Sequence, residues 1–252
     1  MLSADYRRAT PTQPTWDKVP QDVACALVWS TRNAGRFGGN PSQLAVLGDS
    51  AGGNLATNLT LSASSGKAAG GCGPVPKPDA LVAQYPQVDV AATREAFVIG
   101  GPDTDPEHLV ELYIGGTMDE HPDRVKAISS QTYLTDQAPP TLLIEPERDG
   151  IIRTDAVLGW AKKAEDAGVD LTVAKIPFAN HVYNQQAYNS IGNQARRTIT
   201  QNYLVDQGLT NQGTPVPPIW THLTLTLRHS RSVGKTEVAR WKRTDLRGLW
   251  RR

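Results

Sequence analysis

Cysteine is scarce in this chain, apolar runs are short, and net charge is almost absent, with 26 basic residues against 25 acidic ones. Cys25 falls in an apolar run and Cys72 in a glycine-rich stretch, a pattern that suggests neither a disulfide framework nor a metal site. Both are expected to be free thiols. No window approaches the roughly eighteen uninterrupted apolar residues of a spanning helix, so no membrane span is expected. Met1 is followed by Leu-Ser-Ala-Asp-Tyr-Arg-Arg and not by an apolar signal core, so a cytoplasmic location is the expectation. A charged fraction of 20% beside 39% apolar residues excludes general disorder. At 252 residues the expectation is one large α/β domain with a tail. The charge balance is local: residues 228–252 hold nine Lys/Arg against two acidic residues, leaving 17 basic and 23 acidic in the remainder.

Turn residues divide the chain into alternating segments. Leu2 to Tyr6 reads as the end of a short strand, and Arg7 to Pro20 is a loop punctuated by Pro11, Pro14 and Pro20. A helix is expected from near Gln21 towards Gly38-Gly39. Leu44 to Leu47 is a continuous apolar run, as in a strand buried on both faces of a parallel sheet. The pattern from Asn54 to Ser64 is helical, residues 66–78 form a Gly/Pro-rich loop, and Ala80 to Gln84 is another strand. Residues 92–138 are irregular apart from a helical pattern at His108 to Ile114, and read as a lid-like insertion. Strands at Thr141 to Ile144 and Leu171 to Ile176 alternate with helices at Thr154 to Ala167 and about Asn184 to Val205. This order implies right-handed crossovers and a mostly parallel sheet with helices on both faces, an α/β class.

The chemistry concentrates in Gly48-Asp49-Ser50-Ala51-Gly52, which matches G-x-S-x-G. Such a pattern places a serine on a tight strand-to-helix turn with its hydroxyl exposed, and the two glycines avoid a collision with neighbouring backbone. By composition alone it arises in on the order of one chain in ten of this length, so the flanks decide. An apolar strand precedes it and a helical pattern follows. In this fold the acid and the base come later, on loops after subsequent strands. Asp149 follows the Thr141 to Ile144 segment, with Glu145 and Glu147 as competitors. His181 follows the Leu171 to Ile176 segment and could serve as general base. His108 and His121 precede Asp149, while His222 and His229 lie in the tail.

Asp5-Tyr6-Arg7, Phe37-Gly38-Gly39-Asn40-Pro41, Leu47 through Ala56, Glu147-Arg148-Asp149 and Asn180-His181 together resemble the hormone-sensitive-lipase-like group of α/β-hydrolases, esterases and lipases. The likeness covers residues 1 to about 206. It implies an acyl-enzyme mechanism on small-molecule carboxylic esters of short or medium acyl chain, without a cofactor or nucleic acid. Ser50, Asp149 and His181 carry over by motif, with the Ala51 amide as one oxyanion donor. Two departures shape the expectation. The family's His-Gly-Gly-Gly loop, source of the other oxyanion donors, is not found before Ser50, and the first strands of the sheet are missing, so the reading is an N-terminally truncated hydrolase with weakened turnover. Residues 207–252 form a second departure, a basic Pro/Trp/Arg-containing tail with Trp220, Trp241 and Trp250. It could meet nucleic acid or acidic lipid, but its only periodic stretch is Leu223 to Leu227, so an extension without function is the simpler reading.

Overall fold

The computed structural model describes residues 1–68, 70–96 and 105–210, together with the backbone of 228–229. Four parallel strands form the body of the sheet: β1 (Ala45–Asp49), β2 (Ala80–Gln84), β3 (Thr141–Pro146) and β4 (Leu171–Ile176), neighbouring one another in chain order. Each β-to-β connection carries helix. Between β1 and β2 lies α2 (Ala51–Ser64), preceded in the chain by α1 (Val19–Asn33). Between β2 and β3 lie α3 (Pro106–Ile114) and α4 (Pro122–Ile128), and between β3 and β4 lies α5 (Thr154–Asp166). After β4 come α6 (Tyr183–Gln186) and α7 (Ile191–Asp206).

Strand alternation sorts the core into two layers. Leu81, Ala83, Leu143, Leu171 and Val173 face Ala56 and Leu61 of α2 and Val157, Trp160 and Ala164 of α5. Ala80, Val82, Leu142, Ile144, Ala174 and Ile176 face Tyr203 of α7. β2 and β3 are buried residue by residue. β1 is not. It is an edge strand, with Ala45 exposed and Leu47 at 45% exposure, so the expected burial on both faces fails. Leu47 pairs in register with Val82 on the α7 side, where the core takes no residue from β1. A continuous apolar run cannot by itself distinguish a central strand from an edge one.

Three other expectations change. Residues 2–6 form no strand and Leu2 to Asp5 are exposed, because an extended segment becomes a strand only when a ladder partner lies beside it. The helix expected from Asn184 to Val205 is two helices: the chain turns between Gln186 and Ile191, and the Ser190 side chain accepts the Asn193 N–H to start α7. Cys25 and Cys72 are not free thiols but a disulfide with Cα atoms 5.3 Å apart, joining α1 to the loop after α2. Forty-seven residues of separation hid a contact that only helix packing creates. Beyond Leu223 to Leu227, the one periodic stretch expected of the tail, Arg228–His229 forms a short strand, β5, pairing antiparallel with Val173 and Thr172 of β4. The remainder of the tail, including Trp220, Trp241, Trp250 and the Leu223 to Leu227 alternation, lies outside the described residues.

The 92–138 segment is partly described. Val90, Val110, Ile114, Met118 and Ile128 form a small core of its own, with Trp16 packed against it. Asn54 and Asn58 of α2 both donate to the Ile128 carbonyl, at 2.9 Å each, and Asn54 also donates to the Gln87 carbonyl at 2.6 Å. No helix among the described residues is long and apolar enough to cross a membrane.

Candidate active site

β1 ends at Asp49 and α2 starts at Ala51, so Ser50 carries the whole reversal, with φ 53° and ψ −121°. A non-glycine residue in that region costs about 1–3 kcal/mol and persists only where its surroundings enforce it. The enforcement is visible: the Ser50 N–H donates to the Gln84 carbonyl at 3.0 Å, and the Asn54 N–H donates to the Ser50 carbonyl at 3.0 Å. A Cβ on Gly48 would stand 2.1 Å from the Gly52 carbonyl oxygen, so glycine is required there. Gly52 is different. Nothing lies within 4 Å of a Cβ added to it, so the expected collision is absent at that position. Its neighbour Gly53 is the crowded one, where a Cβ would meet the Gln84 carbonyl and Pro86.

Ser50 occupies the N-cap position of α2, yet its side chain does not cap the helix. Its hydroxyl lies 2.8 Å from His181 Nε2. On the far side of the ring, Nδ1 lies 2.7 Å from Asp149 Oδ2. With Nδ1–H donated to the carboxylate, the Nε2 lone pair is left to accept the serine hydroxyl proton. The other Asp149 oxygen accepts the N–H groups of Ile151 and Ile152, at 2.9 and 2.8 Å, which anchors the carboxylate to its own loop. The His181 and Asp149 side chains are 6% and 0% exposed, so this hydrogen-bonded chain works largely away from water.

Asn180 joins the two loops. Its Oδ1 accepts Gly150 N–H at 2.8 Å and His181 N–H at 2.7 Å. The competing carboxylates are engaged otherwise. Glu147 accepts the Phe178 N–H at 2.9 Å. Glu145 is fully buried and neither of its oxygens has a hydrogen-bond partner; burial first, and the nearby Asp149 charge second, push its carboxyl well above the usual range. Asp49, beside the serine, accepts hydrogen bonds from Tyr85 Oη, Asn184 Nδ2 and Gln185 Nε2. Burial raises its carboxyl, but these bonds outweigh that and hold it below the usual range. Sequence reading passed over Tyr85, Asn184 and Gln185. The only available signal for the last two was proximity to His181.

The Ala51 N–H opens α2 and, as at the start of any helix, has no intrahelical acceptor; it lies at the positive end of the helix dipole, directly after Ser50 in the chain. A separate groove of about 910 Å³ runs between the N-terminal segment and α1, past Tyr6, Asp22, Cys25, Trp29, Arg32 and Cys72. None of Ser50, Asp149 or His181 lines it. Among the described residues no cluster of His, Cys, Asp and Glu could hold a metal ion.

The family described as BD-FAE matches residues 1–158. Esterase LipC of Mycobacterium tuberculosis is 29% identical over 168 residues, covering 64% of this chain and 39% of LipC. Esterase LipQ of the same organism is 26% identical over 183 residues, covering 69% of this chain and 40% of LipQ. The chain thus spans about two fifths of the length of these curated relatives. Esterase LipW of Mycobacterium marinum superposes with a TM-score of 0.63 at 25% identity, covering 82% of this chain and 62% of that one. The parallel sheet, the serine turn after β1 and these matches agree: the chain belongs to the BD-FAE family, among the hormone-sensitive-lipase-like esterases of the α/β-hydrolase fold.

Proposed function

We propose that the chain is a serine carboxylesterase with Ser50 as nucleophile, His181 as general base and acid, and Asp149 as the orienting carboxylate. The observation that carries this reading is the unbroken Ser50–His181–Asp149 hydrogen-bonded chain at a strained turn. In the reaction, Ser50 Oγ attacks the ester carbonyl carbon while His181 Nε2 takes its proton. The oxyanion forms beside the Ala51 N–H, and collapse expels the alcohol, which takes the proton back from His181. Water, deprotonated by the same imidazole, then releases the carboxylic acid and restores Ser50. The substrate is a small-molecule ester of short or medium acyl chain, no cofactor takes part, and the 92–138 segment serves as a lid. The Cys25–Cys72 disulfide argues for an oxidising compartment and against the cytoplasm.

A second reading is a hydrolase fold that binds without turnover, and one observation favours it: none of the five histidines is followed by Gly-Gly, so these 252 residues hold no His-Gly-Gly source of oxyanion donors beyond Ala51. Loss of one donor costs about a hundred- to a thousandfold in rate. A fluorophosphonate probe separates the readings because it reports serine activation without requiring full turnover. Labelling of the wild type, abolished in Ser50→Ala and reduced at least about a hundredfold in His181→Ala, supports the esterase. Labelling that survives Ser50→Ala removes the nucleophile assignment.

A further inference from the structure

Tyr85 follows β2 directly and belongs to none of the motifs in the chain, yet it touches His181, Asp49 and Asn184 at once. Its side chain is fully buried and its backbone is held at φ 34°, outside the regions tyrosine ordinarily adopts. Its N–H donates to the Ile144 carbonyl at 2.7 Å, which extends the β2–β3 ladder and sets the direction of the side chain. The ring meets the His181 imidazole edge-on, with centroids 4.8 Å apart and planes at 65°. The hydroxyl donates its one proton to Asp49 Oδ2 at 2.8 Å, and Asn184, whose Oδ1 lies 2.5 Å from the same hydroxyl, is tied in through its own Nδ2–H donated to Asp49 Oδ2 at 3.3 Å. Asp49 precedes Ser50 in the chain, and Asn184 stands three residues beyond His181. One side chain therefore walls the imidazole and pins both the nucleophile turn and the histidine loop.

Resting on the esterase reading of Ser50 and His181, we propose that Tyr85 is a positioning residue: its ring fixes the plane of the imidazole, and its hydroxyl holds the two loops in register so that Ser50 Oγ stays opposite Nε2. The hydroxyl is suited to this. Burial, and then the adjoining Asp49 carboxylate, push its ionisation far above the physiological range, so it remains a donor. Tyr183 stands behind the ring, centroids 6.0 Å apart, and limits its retreat. The placement matters because Val182 at φ 51° and Ser50 at φ 53° are both strained, and each loop relaxes away from the site if the clasp opens.

Tyr85→Phe keeps the ring and loses the hydroxyl, whereas Tyr85→Leu loses both. The second-order rate of fluorophosphonate labelling, and the fraction of protein finally labelled, are measured for each. Tyr85→Phe is expected to slow the rate about tenfold, the scale of one hydrogen bond at the reacting geometry, with the full fraction labelled. Tyr85→Leu is expected to slow it about a hundredfold, the scale of a small misplacement of catalytic groups. In parallel, the far-downfield proton resonance of the His181 Nδ1–H shared with Asp149 is recorded; it should persist in wild type and Tyr85→Phe and broaden away in Tyr85→Leu. A reduced labelled fraction at the wild-type rate would mean a merely structural role and overturn the proposal, as would two variants that label and resonate like the wild type. If the wild type shows the resonance but no labelling, and Tyr85→Leu loses the resonance, positioning stands and the esterase reading falls. Absence of the resonance from unlabelled wild type overturns both.

Discussion

Strain in this protein is local. Among the described residues, the non-glycine positions with positive φ are Ser50, Tyr85, Phe178 and Val182, which sit at the turn after β1, the end of β2 and either side of His181. At about 1–3 kcal/mol each, such conformations survive only where neighbouring contacts over-determine them, and here those contacts are the ones that assemble the site. Glu145 is a second local cost, a buried carboxyl with no hydrogen-bond partner beside Asp149. Because its folded pKa is raised above the ordinary 4.5, the folded protein keeps a proton that the unfolded chain has released. Its favourable contribution is complete below about pH 4.5 and is lost as pH rises towards the raised folded value. Glu145→Gln should therefore melt higher than the wild type, by a margin that is small at pH 4, widens with pH and then levels. A margin constant from pH 4 to pH 8 would contradict the raised carboxyl.

The elements act as carriers, and α2 carries the most. Its first residue follows the serine turn directly, its apolar face packs on β2 and β3, and its polar face holds the segment between β2 and β3 through Asn54 and Asn58. Ser130 completes that contact by donating to Asn58 Oδ1 at 2.6 Å. Asn54→Ala removes the donor to the Gln87 carbonyl and one of the two donors to the Ile128 carbonyl, which Asn58 still serves, and should cost about 1–3 kcal/mol in chemical denaturation. Amide exchange in residues 122–133 should accelerate more than in β2 or β3. Equal acceleration everywhere would mean that the asparagine supports the whole fold and not this attachment. The division between α6 and α7 belongs to the same scale: Asn184 and Gln185 of α6 donate to Asp49, while α7 sets Tyr203 against the sheet.

Across the whole molecule the disulfide is the long-range brace, closing 47 residues that include β1, the serine turn and all of α2. For a loop of that length the chain-entropy argument sets an upper stabilisation of about 4 kcal/mol. Unreduced, denatured protein should yield no free thiol by titration, and Cys25→Ser with Cys72→Ser should lower the unfolding free energy by up to that amount while β1 and α2 still form. Two titratable thiols in the unreduced protein would show that the bond is absent. The edge position of β1 is the other large-scale feature, leaving Leu47 uncovered on the α7 face.

The local grammar of the chain was sufficient for most of the architecture. Apolar runs at Leu44 to Leu47, Ala80 to Gln84, Thr141 to Ile144 and Leu171 to Ile176 each lie within or overlap a strand, and the α/β class follows from their alternation with helices. The order of Ser50, Asp149 and His181 was readable because each stands just beyond a strand. Contacts were not readable: Tyr85 against His181, Asn180 bridging two loops, Asn54 reaching Ile128 and Cys25 meeting Cys72 all join segments distant in the chain or turned by strained backbone. Periodicity reports which face of an element is apolar, not which neighbour covers it, so the burial of β1 was misjudged although its extent was close. The sequence by itself determined the strands, the serine turn and the candidate chemistry, through local apolar pattern and backbone freedom. Only the tertiary structure decided which strand lies at the edge, which cysteines bond and which tyrosine touches the imidazole, because those outcomes depend on packing between segments that no local pattern encodes.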